Sequence, residues 1–223
     1  MEARTLGQFV ADEGILDTLR AMIAEINDRA TSEAKKVGKA SKLPVVQCFK
    51  CDAKKACCHS LVVARLYEGI VVAAHLKAEQ RDTPELRDEL RAKAEAMEAT
   101  SPYDWRSPCV FLGAGERCTV YASRPTPCGT LYVYTPPAHC NDPSARVQAY
   151  VAQAEQAVAL QIEDEFRDKM ALRKKVGRRY IGVLPRMVLV ALEAWDRTDF
   201  RDYLRQLDWP TDADAAKWQR REA

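Results

Sequence analysis

The sequence predicts a mainly α-helical protein whose helices pack around an irregular, Cys-rich metal-binding centre. Apolar residues recur at three- and four-residue spacing through both flanks of the chain, the signature of amphipathic helices. All eight cysteines fall between Cys48 and Cys140. Residues 101–141 also hold six prolines, three glycines and four of those cysteines, with no sustained period. So long a stretch without regular structure is uncommon in a compact domain unless something other than backbone ladders organises it, and a metal can do so. The expected organisation is a single domain over 1–223, with a metal-binding core at 48–140 held between helical regions 1–47 and 141–223.

Ile15, Leu19, Met22, Ile23 and Ile26 predict a first helix, whose apolar period fades into Ala, Lys, Ser and Gly between Thr31 and Lys42 and is expected to fray there. After Cys57-Cys58, residues Leu61 to Lys77 are apolar on more than one face, as a buried central helix would be. Asp82-Thr83-Pro84-Glu85 is a helix start signal, with a polar cap and Pro near the first helical position, leading through Leu90 to Met97. Within 101–141 two short strands are expected, Cys118 to Tyr121 and Thr130 to Tyr134. Asp142-Pro143 then caps a long helix with the stripe Val147, Val151, Ala154, Val158, Ile162, Phe166 and Met170, interrupted at Gly177 and Gly182. Pro185 opens another helix, Thr198 caps a short one through Phe200 and Leu204, and Pro210-Thr211 introduces a last one near Trp218.

Composition excludes several classes. Lys plus Arg number 34 against 32 Asp plus Glu, a net charge of +2, which predicts neither a nucleic acid nor a membrane surface as partner. The longest uncharged apolar stretches, Gly69 to Leu76 and Met187 to Leu192, are far short of the roughly 20 residues that cross a bilayer. The basic run Arg173-Lys174-Lys175 with Arg178-Arg179 is balanced by Glu163, Asp164, Glu165 and Asp168 on the preceding turns, so no nucleic-acid patch is predicted. Gly113-Ala114-Gly115 reads as a turn, and there is no P-loop, no His-Glu-x-x-His and no Cys-x3-Cys-x2-Cys. The first residues lack a basic region followed by an apolar core, which gives cytoplasm as the expected location. In that reducing compartment, clustered thiols point to metal more than to disulfides.

Cys48-x2-Cys51 lets one turn aim two thiolates at a single ion, as in zinc ribbons and iron–sulfur loops. With Cys57, Cys58, Cys109, Cys118, Cys128 and Cys140 it makes eight candidate metal ligands in 93 residues. Side chains of adjacent residues diverge, so Cys57 and Cys58 do not readily serve one tetrahedral ion. The ligand count allows two all-thiolate centres, one cluster with four spare cysteines, or a mixed site using His59 or His139. Beside a thiol pattern of this density, His59 and His139 read as ordinary surface or capping histidines and His75 as a satisfied core residue.

Cys48-Phe49-Lys50-Cys51, Cys57-Cys58, Pro108-Cys109-Val110-Phe111-Leu112 and Cys118-Thr119-Val120-Tyr121-Ala122-Ser123-Arg124-Pro125-Thr126-Pro127-Cys128 together resemble the YkgJ-type cysteine-cluster family, the CxxCxxxxCC zinc- or iron-chelating domain. The resemblance covers roughly residues 48–130. Family members carry eight cysteines, a C-x-F-L step before a Gly-containing turn and a C-x-I-Y-x-x-R-P-x-x-C block, each with a counterpart here. Five residues instead of four separate Cys51 from Cys57, and Gly129 stands where a basic residue commonly follows the cysteine. The resemblance implies bound iron–sulfur or zinc, but no particular reaction.

Beside the thiols, the Arg124 guanidinium is a candidate to hydrogen-bond cluster sulfurs, and Tyr121 to pack over the cluster, against the plainer readings of a turn arginine and a buried loop tyrosine. The expected cofactor is an iron–sulfur cluster (4Fe–4S), ahead of zinc, because vicinal cysteines and ligands spread over irregular loops differ from two tidy zinc knuckles. Three functions follow as expectations: a cluster protein in redox, sensing or metal handling; a metal-dependent modifying enzyme, since flagellin lysine N-methylases, which use S-adenosylmethionine, carry a similar cysteine motif; or a structural-zinc scaffold with a protein partner on a helical face.

Overall fold

The computed structural model describes residues 3–47, 56–102, 104–142, 147–148, 153–172, 179–211 and 214. Helices dominate. The first, α1 (Leu6–Asp12), has no counterpart in the periodicity analysis; it starts with a capping box in which Thr5 and Gln8 satisfy one another's backbone N–H groups. Helix α2 (Ile15–Ser41) runs on through the segment expected to fray. Its buried stripe continues past Ile26 as Ala30, Ala34 and Gly38, residues too small to register as an apolar period but suited to close packing. Tyr132 lies on Ala30 and Ala34, and the Tyr134 hydroxyl donates to the Ala34 carbonyl at 3.2 Å. These tyrosines flank or form β3 (Tyr132–Val133), which pairs antiparallel with β1 (Val46–Gln47). Thr130 to Tyr134 thus contains a strand, though a shorter one than expected.

The centre of the fold is a second antiparallel pair, β2 (Val63–Arg65) with β4 (Ile181–Val183). Each strand passes directly into a helix, β2 into α3 (Leu66–Ala78) and β4 into α7 (Leu184–Trp195). The junctions are reciprocal: Leu66 N–H donates to Tyr180 O and Leu184 N–H to Val62 O, both at 2.8 Å. The central helix therefore begins at Leu66, later than the apolar run suggested, because the first part of that run is spent on the strand. Residues Leu66 to Ala74 are all buried, as a helix apolar all round must be. At the crossing with α7, a Cβ on Gly69 would lie 2.4 Å from the Met187 carbonyl oxygen, so only glycine lets the two backbones approach this closely.

Helix α4 (Pro84–Glu98) starts as its sequence predicts, with Thr83 Oγ1 accepting the Leu86 N–H and proline in the first turn. It packs on α7, with Leu90 in the main core and Ala94 and Met97 in a smaller cluster with Trp105 and Val183. Asp82 ties this corner together, accepting twice from Arg87 at 2.7 Å and pairing with Lys77 at 2.9 Å. After a short turn α5 (Thr126–Gly129), helix α6 (Gln153–Lys169) lies against α2. The stripe residues Val158, Ile162, Phe166 and Met170 do face the core. Val147 instead is exposed and non-helical, and the expected start at Pro143 lies outside the described residues. Helix α8 (Phe200–Gln206) is preceded by Asp199 and not Thr198 at its cap position. The helix expected near Trp218 and most of the basic run at 173–178 also lie outside the described residues. No helix among the described residues is long and apolar enough to cross a membrane.

Candidate metal centre

Four separate segments carry the six described cysteines to one region beside the start of α3. Cys57 and Cys58 sit on a 3-10 turn, Ala56–His59, just before β2. The Cys58 carbonyl accepts the Cys109 N–H at 2.7 Å, and the His59 carbonyl accepts the Ser107 N–H at 3.2 Å, binding the second segment to the first. Cys109 and Cys118 lie on a small hairpin closed by a Leu112–Cys118 bridge and by Thr119 N–H to Phe111 O at 2.8 Å. Phe111 and Val120, both buried, root it in the core. Arg81 fastens its far side by donating to the Thr119 carbonyl at 3.0 Å and hydroxyl at 2.8 Å. The expected strand Cys118 to Tyr121 is thus a single bridge followed by a 3-10 turn, Tyr121–Ser123.

Cys128 rides on α5, which two prolines and one buried carboxylate hold in place. Glu68 Oε1 accepts the Thr126 N–H at 2.7 Å and Oε2 accepts the Arg65 N–H at 2.8 Å, joining the β2–α3 junction to the cysteine turn. Cys140 belongs to a second 3-10 turn, Pro137–Asn141, which packs against the turn of Cys57 and Cys58.

The thiols feel one another. Burial pushes the Cys109 thiol up to about 11, with Cys118 and Cys58 adding to the rise and the Phe111 N–H opposing it. Cys118 is raised by burial and by Cys58. Cys128 is raised well above the ordinary thiol range by burial, then by Cys109, Cys118, Cys58 and Cys57. Cations stand among them: Lys93 favours the thiolate of Cys109, while Arg124 and Arg81 favour that of Cys118. Lys93 is itself held by Ser107 Oγ at 2.8 Å and lies 5.7 Å from the centre of the Trp105 ring. As the side chains stand, no three His, Cys, Asp or Glu groups among the described residues close on one ion. Cys48 and Cys51, the predicted chelate pair, lie outside the described residues. A sulfur-rich donor set flanked by cations is chemically suited to zinc or iron.

Tyr121 is not a buried loop tyrosine; it is 41% exposed, and the Arg124 guanidinium lies 4.2 Å from its ring centre. Sequence reasoning missed Glu68, whose signal was a carboxylate inside an apolar helix run. It read Glu163 only as one of the acidic residues that balance the basic run, whereas Glu163 is 4% exposed and lies 3.4 Å from Arg65. Burial raises the Glu163 carboxyl, with Arg65 opposing. Gly129, where the family commonly has a basic residue, has a packing reason here: a Cβ would lie 2.0 Å from Asn27 Oδ1 of α2.

Residues 47–157, about half of the chain, match the CxxCxxCC family model, described as "Putative zinc- or iron-chelating domain". No curated protein and no solved structure matches the chain. The match spans every cysteine-bearing segment described above, and through it the chain belongs to the CxxCxxCC family, the YkgJ-type cysteine-cluster proteins.

Proposed function

We propose that the protein holds an iron–sulfur cluster on its cysteines and serves in redox, sensing or metal handling. Cys58, Cys109, Cys118 and Cys128 are the ligands we assign to one centre. The remaining thiols, Cys48, Cys51, Cys57 and Cys140, are available to a second. The observation that carries this reading is the convergence of four sequence-distant segments bearing six cysteines, with Cys58 joined to Cys109 through the backbone. Bound to thiolates, such a cluster supplies one-electron chemistry whose potential depends on nearby charge and hydrogen bonds. Lys93, Arg81 and Arg124 are placed to offset the negative charge of the thiolates, and Arg124, whose guanidinium lies over the Tyr121 ring, is proposed to hydrogen-bond cluster sulfurs.

The deciding experiment is quantitative metal and sulfide analysis, with a visible spectrum, on protein purified without oxygen. Brown protein with about four irons per chain supports the cluster. Colourless protein with stoichiometric zinc overturns it in favour of a structural site, which would then be expected to unfold on chelation.

A further inference from the structure

We infer that His139 is a metal ligand through Nδ1, at a site apart from the four thiols Cys58, Cys109, Cys118 and Cys128, so that the metal donors of this region are not sulfur alone. This rests on the metal-centre reading above and extends it to a donor that the cysteine pattern does not contain. His139 lies on the Pro137–Asn141 turn, one residue before Cys140, and that turn packs against the one carrying Cys57, Cys58 and His59. Its Nδ1 is buried and has no hydrogen-bond partner among the described residues. Buried polar atoms are almost always satisfied, because stripping water from a lone pair without replacing it costs free energy. An imidazole nitrogen without a hydrogen bond, on a turn packed against one that carries two thiols, is a donor that a borderline metal takes.

His75 provides the contrast. Its Nε2 is also buried without a hydrogen bond among the described residues, but it faces Oε2 of Glu79, the residue that caps α3, at 3.3 Å, so a carboxylate already explains its position. His139 instead sits on a turn that packs against the turn of Cys57 and Cys58. On a 3-10 turn successive side chains point about 120° apart, so His139 and Cys140 face different directions, as Cys57 and Cys58 do. The packing of the two turns therefore offers a site one donor from each and not both members of either pair. That arrangement relieves the difficulty of the vicinal cysteines by giving that site a ligand of another kind.

The test is X-ray absorption at the metal edge of the intact, anaerobically purified protein, where imidazole gives outer-shell scattering that thiolate does not. The chain has three histidines, so assignment by substitution is direct. Imidazole scattering in the wild type that disappears in His139→Ala, but persists in His75→Ala and His59→Ala, is the expected result. Sulfur-only coordination in the wild type, or imidazole scattering that survives His139→Ala, overturns the inference while leaving the metal centre standing. Wild-type protein that retains no metal, even after anaerobic reconstitution with iron and sulfide or with zinc, overturns both together. Should His139→Ala fail to fold, His139→Cys keeps a donor at the position, and loss of the imidazole signal with full metal content gives the same answer.

Discussion

Both carboxylate oxygens of Glu68 are committed to backbone N–H groups, one at its own helix start and one 58 residues away at Thr126, inside the core. The residue acts as a rivet between the helical frame and the turn of Cys128. Glu68→Ala leaves two buried donors without partners and is expected to cost about 2–6 kcal/mol, from roughly 1–3 kcal/mol for each orphaned group. Glu68→Gln, which keeps one acceptor oxygen, should cost less. Urea unfolding of the two variants measures the difference; equal, wild-type-like midpoints would show that these N–H groups do not depend on Glu68.

Gly129 and Asn27 form a second tie between frame and cysteine turn. Gly129→Ala places a methyl group where the Asn27 amide stands, 2.0 Å from Oδ1, and overpacking of this kind costs about 1–3 kcal/mol. Removing the obstruction in Asn27→Ala/Gly129→Ala should recover part of the loss. A double-mutant cycle by thermal or urea unfolding reads the coupling, and strict additivity would count against the contact.

Acid should loosen the α3–α4–α7 corner. Hydrogen bonds from Arg87, reinforced by Lys77, hold the Asp82 carboxyl below the usual carboxylate range. A carboxyl with a lowered folded pKa contributes stability that is fully present above its unfolded value of about 3.9 and is lost as pH falls through the folded value. Asp82→Asn is expected to cost about 1–3 kcal/mol at neutral pH and to flatten the decline of stability below about pH 4. Unfolding curves of both proteins from pH 7 down to pH 2 give the comparison; parallel declines would show that Asp82 is not the group responsible.

Cys128 lies where burial and four other thiols act on it together. Under the proposed function Cys128→Ser lowers metal content and thermal stability together, while a surface change such as Val37→Ala leaves both unchanged. Metal analysis alongside differential scanning calorimetry tests this. Full occupancy in Cys128→Ser would remove that thiol from the ligand set.

The helices that sequence reasoning located are those with large apolar residues or strong caps: α3 from its all-apolar face, α4 from Thr83-Pro84, and α7 from Pro185. The second half of α2 escaped because its buried positions, Ala30, Ala34 and Gly38, are small and look like linker composition. The presence of a cysteine centre was legible in spacing alone. Its internal arrangement was not, since the segments are brought together by the pairing of β1 with β3 and of β2 with β4, contacts between residues far apart in sequence that leave no local period. Gly129 looked like the loss of a functional basic residue until the position of Asn27 was known.

The reciprocal bonds at Leu66 and Leu184 close the chain between β2 and β4 into one large loop, which contains Cys109, Cys118, Cys128 and Cys140. Closure entropy grows only with the logarithm of loop length, about 0.6 kcal/mol for each doubling. Insertions or deletions between those cysteines therefore cost the clasp almost nothing. A lineage can lengthen, shorten or re-space its ligand loops while the helix pair that aims them stays unaltered.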